Sequence, residues 1–337
     1  MISNVQLPRS VSQVMFSVGV LIFFILPLIS PSPYYVNLGI DVLFVFLFAL
    51  SFNLLFGYTG LLSFGQAAFF GLGAYMIPLL LRGEAFVPTI ESFLLVIVIA
   101  VVAAALLGAV IGFLSIRRGG IYFAMLTLAF SMMIYEGAFR WRSLTSGDDG
   151  LITPTPTVEL GVASLSLGDH LVYYYFTLVL VAAATFFVWR VTKSPFGEML
   201  VLIRENEERT EFIGVNVTLY KWASFTLSAA LAGLAGAIAA THLLVISPGT
   251  LHWTRSAEPV LITLIGGPTY FLGPLVGTIV FVALEQSLTA VTDHWELFAG
   301  LVLIIIVLFT PDGVLGLWHE RVEPRVTDTI ERIWEDP

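Results

Sequence analysis

Apolar residues run along this chain in unbroken blocks, most of them roughly 17–25 residues long, the length a helix needs to cross about 30 Å of hydrocarbon. The blocks fall at 14–30, 35–56, 61–81, 92–116, 120–139, 170–189, 222–246, 256–267, 271–290 and 296–310. Several of them, such as Phe93–Ile116 and Leu171–Trp189, contain no charge. Barrel strands would instead alternate polar and apolar residues in segments of about ten. The pattern predicts an all-α, polytopic helical membrane protein with about ten transmembrane segments. The eighth block is short for a crossing, which leaves a tilted, broken helix or a re-entrant hairpin.

The polar intervals set the orientation. With ten crossings and the N-terminus inside, cytoplasmic segments hold Arg9, Arg117, Arg118, Arg190, Lys193, Arg204, Arg209, Lys221, Arg321, Arg325 and Arg332. Only Arg82, Arg140, Arg142 and Arg255 remain outside. A re-entrant eighth segment would split the cations almost evenly, so the positive-inside rule favours ten crossings with both termini cytoplasmic. Residues 1–317 are then a transmembrane domain, and 318–337 an acidic cytoplasmic tail. The block Val14–Ile29 lacks a small-x-small cleavage pattern and is expected to be retained as a span.

Composition narrows the chemistry. The 337 residues are 58% hydrophobic and 12% charged, against about 25% charged in a soluble domain. The absence of cysteine excludes disulfides, thiolate metal sites and cysteine nucleophiles. No phosphate-binding GxxxxGK[ST], HExxH or GxSxG motif is present. The sequence predicts a chain that is no enzyme and holds no metal or catalytic residue. Its energy must come from a partner or a gradient.

The longest charged interruption is 190–221, with five Lys/Arg and five Glu. Ser194 and Pro195 suit a helix start, Glu198 the early turns, and Gly214 a left-handed stop. Between them Met199, Leu202, Ile203 and Ile213 fall near one face, and Arg204, Glu205, Glu208 and Glu211 on others. One amphipathic helix lying across the inner membrane surface is expected. Its balanced charge argues against simple attraction to anionic lipid.

Inside the membrane, Ala232, Gly236 and Ala240 repeat every four residues, and Ala229 with Gly233 forms a second ridge. Small residues let helix backbones approach closely. The block 51–75 is rich in polar residues, of which Asn53, Ser63 and Gln66 are candidates to line a pathway. Its GYTG (57–60) reads as a turn at the membrane face, with a broken, route-lining helix as the alternative. Asp41, Glu136, Glu258, Glu285 and His242 are the few ionisable residues within spans, and their spacing suggests no ion relay. His242 reads as a hydrogen-bonded packing residue rather than a switch.

A longer pattern carries a resemblance. Glu208 followed by Gly214 is similar to the EAA-x-x-x-G signature of ABC importer permeases, although Arg209 and Thr210 replace its two alanines. The run SPFGEMLVLIRENEERTEFIGVNVTLYKWASFTLSAALAGLAGAI (194–238) resembles the M-type permease subunits of high-affinity branched-chain amino acid importers. SFNLLFGYTGLLSFGQAAFFGLGAY (51–75), RGGIYFAMLTLAF (118–130), GGPTYFLGPLVG (266–277) and LFTPDGVLGL (308–317) resemble the same family. The likeness covers about residues 35–317.

That resemblance implies an ABC importer permease bundle in the cell membrane of a prokaryote. The partners it implies are a second, H-type permease, two cytoplasmic ATPase subunits that bind ATP and Mg, and an external binding protein. No cofactor is expected on this chain, and no nucleic acid. Ser194, Pro195, Arg204, Glu205, Glu208 and Gly214 would belong to the ATPase-coupling loop. Gly147, Asp148, Asp149 and Gly150 resemble a segment on the binding-protein side. Leucine, isoleucine or valine would be the cargo. A permease for urea or short amides looks similar at these motifs and stays open. An ion-coupled secondary transporter is the rival class, and it would need paired intramembrane acids in repeated halves.

Overall fold

The computed structural model describes residues 23–25, 27, 32–83, 89–90, 92–117, 119–159, 164–289, 294–309 and 312–316. Nearly all of the first predicted span, the tail 318–337 and Arg118 lie outside the described residues. The helices are α1 (Pro33–Thr59), α2 (Gln66–Arg82), α3 (Phe93–Ser115), α4 (Ile121–Arg140), α5 (Arg142–Thr145) and α6 (His170–Thr192). After them come α7 (Pro195–Glu205), α8 (Glu207–Phe212), α9 (Val217–Leu243), α10 (Trp253–Gly266), α11 (Gly273–Thr289) and α12 (Trp295–Phe309). Each apolar block that falls on described residues is a helix. Five of them, α1, α3, α4, α6 and α9, are long and apolar enough to cross a membrane.

Four short strands decorate one end of the bundle. β1 (Leu151–Ile152) pairs antiparallel with β4 (Val245–Ile246), and β2 (Thr157–Glu159) with β3 (Ser164–Ser166). Leu244, at a positive φ of 61°, turns the chain from α9 into β4.

The centre of the bundle is α9, packed against α3, α2 and α1. Its small residues explain the closeness. A Cβ at Gly236 would strike the Phe70 carbonyl of α2, and one at Gly233 would strike Ala104 of α3. Both expected ridges are therefore contact lines. Lipid offers no hydrophobic drive for helices to associate, so backbone-to-backbone contact supplies dispersion in its place. By contrast α4 is mostly exposed, presenting Ile121, Tyr122, Met125 and Met133 outward.

The short eighth segment runs from inside the bundle to the end where α1 finishes. It starts as α10 after β4, and the carbonyl of Pro268, just past its end, abuts Gly57 at the far end of α1. Helix α11 then returns, its Gln286 accepting a 3.4 Å hydrogen bond from Tyr34 at the start of α1. Helix α10, fourteen residues long, starts well inside the bundle and is reached through the 3-10 turn Pro248–Leu251.

Candidate functional site

Helix α1 ends in a left-handed Gly60, whose N–H bonds the Phe56 carbonyl at 3.0 Å while that of Leu61 bonds Leu55 at 3.1 Å. This left-handed closure leaves the Gly57 carbonyl of the last turn without a backbone partner. Residues 60–65 run non-helically back into the bundle, where the Phe64 N–H donates to Thr127 Oγ1 of α4 at 3.3 Å. Helix α2 then starts at Gln66 in the interior. GYTG therefore begins a helix break, and the expectation of a plain turn is corrected. Extended backbone buried this deep is tolerated only where neighbouring polar groups satisfy it.

A second broken element meets the first. The Ala67 N–H, in the first turn of α2, donates to Ser256 Oγ, in the first turn of α10, at 2.8 Å. Gln66 Nε2 donates to Ser228 Oγ of α9 at 3.1 Å, and that hydroxyl donates to the Ser51 carbonyl at 2.7 Å. Asn53 Nδ2 reaches the Tyr270 carbonyl at 3.4 Å, and Ser63 Oγ accepts from the Gly65 N–H at 3.2 Å. Asn53, Ser63 and Gln66 are thus brought to one region around the break, each fully buried within the chain.

The charged loop forms two helices where one was expected. Asn206 adopts an extended conformation between them, and its Oδ1 caps α8 by accepting from the Arg209 N–H at 2.8 Å. Pro195 takes the first helical position as expected. Ser194 precedes it, but its hydroxyl donates back to the Val191 carbonyl at 2.6 Å and does not cap α7. Gly214 follows the end of α8 at φ 88°. The expected apolar face is also revised. Leu200 and Ile203 are buried, whereas Leu202 and Ile213 are exposed. Helix breakage rotates the two halves out of a common register, so Ile213 no longer shares a face with Ile203.

Arg204 does not stand with the solvent-facing charges. Its guanidinium donates to the Gly57 carbonyl left open at the end of α1, and its stem lies beside Gly60. A cation there complements the partial negative charge of a helix C-terminus. Behind it, Phe196 stacks on Tyr220 with centroids 5.4 Å apart, and Lys221 Nζ lies 2.6 Å from Glu207 Oε2. The hairpin is therefore fastened to both α1 and α9. Glu205, Glu208 and Glu211 are exposed, and Phe212, the last residue of α8, is 90% exposed.

At the strand-bearing end, Gly147, Asp148 and Asp149 form a 3-10 turn in which both aspartates are exposed, and Gly150 packs on Ile246 of β4. This segment and the hairpin thus occupy opposite ends of the bundle. His242 is a partnered packing residue, as expected. Its Nε2 lies 3.2 Å from Asp41 Oδ1, a contact linking α9 to α1 across 201 positions of sequence.

Residues 34–307 match the model of a family described as the permease component of branched-chain amino acid transport systems. The chain belongs to that family. It is 25% identical over 334 residues to the high-affinity branched-chain amino acid transport system permease protein LivM of Escherichia coli (strain K12), covering 93% of this chain and 77% of that one. It is 21% identical over 322 residues to the probable branched-chain amino acid transport permease protein LivM of Methanocaldococcus jannaschii, covering 80% and 90%. A 198-residue match at 27% identity links it to the autoinducer 2 import system permease protein LsrC of Salmonella paratyphi B, covering 56% and 53%. No solved structure matches. The chain is a helical permease of LivM type, a transport subunit and not an enzyme.

Proposed function

We propose that this permease is the membrane-spanning subunit of an ATP-driven importer for leucine, isoleucine and valine, delivered by an external binding protein. One observation joins family membership to mechanism. The α7–α8 hairpin is anchored at its base through Arg204 and Lys221, yet it holds a bare phenyl ring, Phe212, clear of its own protein. An apolar anchor ringed by Glu205, Glu208 and Glu211 is the surface that a partner groove would cover. That partner is an ATPase, because the chain itself has no phosphate-binding loop.

In this scheme two ATPase subunits bind ATP and Mg, an H-type permease completes the bundle, and lipid surrounds both. The chain crosses a prokaryotic cell membrane ten times with both termini inside, and its 318–337 tail is cytoplasmic. Ser194, Pro195 and Gly214 delimit the coupling loop, Glu205 and Glu208 face the ATPase, and Arg204 passes movement to the α1 terminus. Displacing Arg204 shifts Gly57 against Pro268 and loosens the break lined by Asn53, Ser63 and Gln66. Gly147, Asp148, Asp149 and Gly150 face the binding protein.

Phe212→Asp tests the docking step. Co-purification of the ATPase with the tagged permease is expected to fall by about tenfold or more, the effect of losing a buried aromatic anchor, at unchanged membrane yield. Full ATPase recovery would place Phe212 outside the contact.

A further inference from the structure

The ribbon of β1 and β4 is apolar on both faces. Its register sets Leu151 against Ile246 and Ile152 against Val245. Leu151 and Ile246 are buried, as one face of an antiparallel pair packed on a core should be. The opposite face of such a pair commonly turns polar residues to water. Here it carries Ile152 and Val245, 57% and 49% exposed. Leu243 and Leu244, which lead from α9 into β4, are exposed as well.

The backbone makes one of these leucines more unusual still. Leu244 sits at φ 61° and ψ −26°, in the left-handed region that glycine enters freely and a residue with a Cβ does not. The Thr153 N–H holds the turn by donating to the Leu244 carbonyl at 2.7 Å. Glycine would relax this position. A disfavoured turn therefore presents a half-exposed leucine beside an exposed apolar strand pair.

Acid borders this face. Gly150 packs against β4, where a Cβ on it would lie 3.2 Å from Val245 Cγ1. The two residues before it, Asp148 and Asp149, are exposed and form no ion pair among the described residues. Of the cations nearby in sequence, Arg140 is bound to Glu136 at 3.0 Å, and Arg142 lies along Gly147 without bridging to either aspartate. Carboxylates are expensive in hydrocarbon, so the two aspartates keep this end of the bundle in water and lipid does not cover the ribbon. An apolar centre with a charged rim is the anatomy of a protein interface. Complementarity then fixes the occupant as a protein that meets the ribbon with an apolar patch bordered by lysine or arginine.

We propose that Ile152, Leu244 and Val245, bordered by Asp148 and Asp149, are the docking surface for the external binding protein, which seats an apolar patch on the ribbon and basic side chains on the aspartates. This inference rests on the importer reading, which puts residues 147–150 on the outer side, and it names the chemistry of the contact. β1 lies against α2, and β4 continues from α9. A protein seated on the ribbon therefore bears on the two helices whose backbones meet at Gly236.

The chain has no cysteine, so one introduced thiol reports on this surface alone. Ile152→Cys and Val245→Cys, each in the complete transporter in nanodiscs, are expected to react with a water-soluble maleimide. Purified, leucine-loaded binding protein at about ten times its Kd is expected to slow that labelling about tenfold. Asp148→Lys combined with Asp149→Lys is expected to slow association of the binding protein about tenfold at low salt, a difference that shrinks as ionic strength rises. Co-purification of the ATPase checks that each variant is assembled. Labelling that is unchanged while the binding protein is bound overturns the proposal and leaves the importer reading standing. So does an association rate that the lysine pair does not alter, or a thiol that reacts only with a membrane-soluble maleimide, which would put the ribbon in lipid. A wild-type transporter that binds no external protein yet takes up leucine refutes the importer reading itself, and this proposal with it.

Discussion

Around α9 the helices touch backbone to backbone, whereas the α7–α8 hairpin hangs from a few side chains. In the centre, Gly236 lies against the Phe70 carbonyl and Gly233 against Ala104, with no space for even a methyl group. In the hairpin, Arg204, the Phe196–Tyr220 stack and the Glu207–Lys221 bridge make the attachment, and Phe212 touches solvent. Close packing transmits displacement without yielding, because interiors are dense and compress little. The hairpin buries Leu200 and Ile203 but leaves most of α8 exposed, so it yields more easily than the centre. The difference makes the centre the rigid part of the molecule and the hairpin the part that yields.

Three substitutions probe that contrast, beginning with the costliest. Gly236→Leu forces a branched side chain into the α2–α9 contact and is expected to destabilise the fold by about 3 kcal/mol or more. Thermal unfolding in detergent measures it, and a variant as stable as wild type would mean that the centre is not close-packed. Arg204→Ala leaves the Gly57 carbonyl unsatisfied, worth about 1–3 kcal/mol. Uptake is expected to fall while ATP hydrolysis continues in the assembled complex; undiminished uptake would cut the proposed link between hairpin and α1. Glu207→Ala removes a half-exposed partner of Lys221 and is expected to cost under about 1 kcal/mol. If its melting shift matched that of Gly236→Leu, the hairpin would belong to the rigid centre.

Helix positions were legible because each depends on its own residues. The break at Asn206 had a local sign too: Asn followed by Glu207 and Glu208 is a helix start, but the run of apolar residues across it reads as one face. GYTG was ambiguous, since Gly60 permits either a turn or a break. What decided between them was Thr127 and Ser256, both far off in sequence, which satisfy the buried backbone between α1 and α2. The inward role of Arg204 was hidden for the same reason. Nothing near residue 204 shows that Gly57 has an unpaired carbonyl.

Apolar periodicity and the family motifs determined by themselves that this chain is a helical permease. Backbone preferences and burial in lipid are properties of short stretches, so they can be read in order along the chain. Tertiary structure alone decided that α2 and α10 start inside the bundle and that His242 of α9 meets Asp41 of α1. Charge interactions depend on distance in space, and the fold joins helices that the sequence holds about two hundred residues apart.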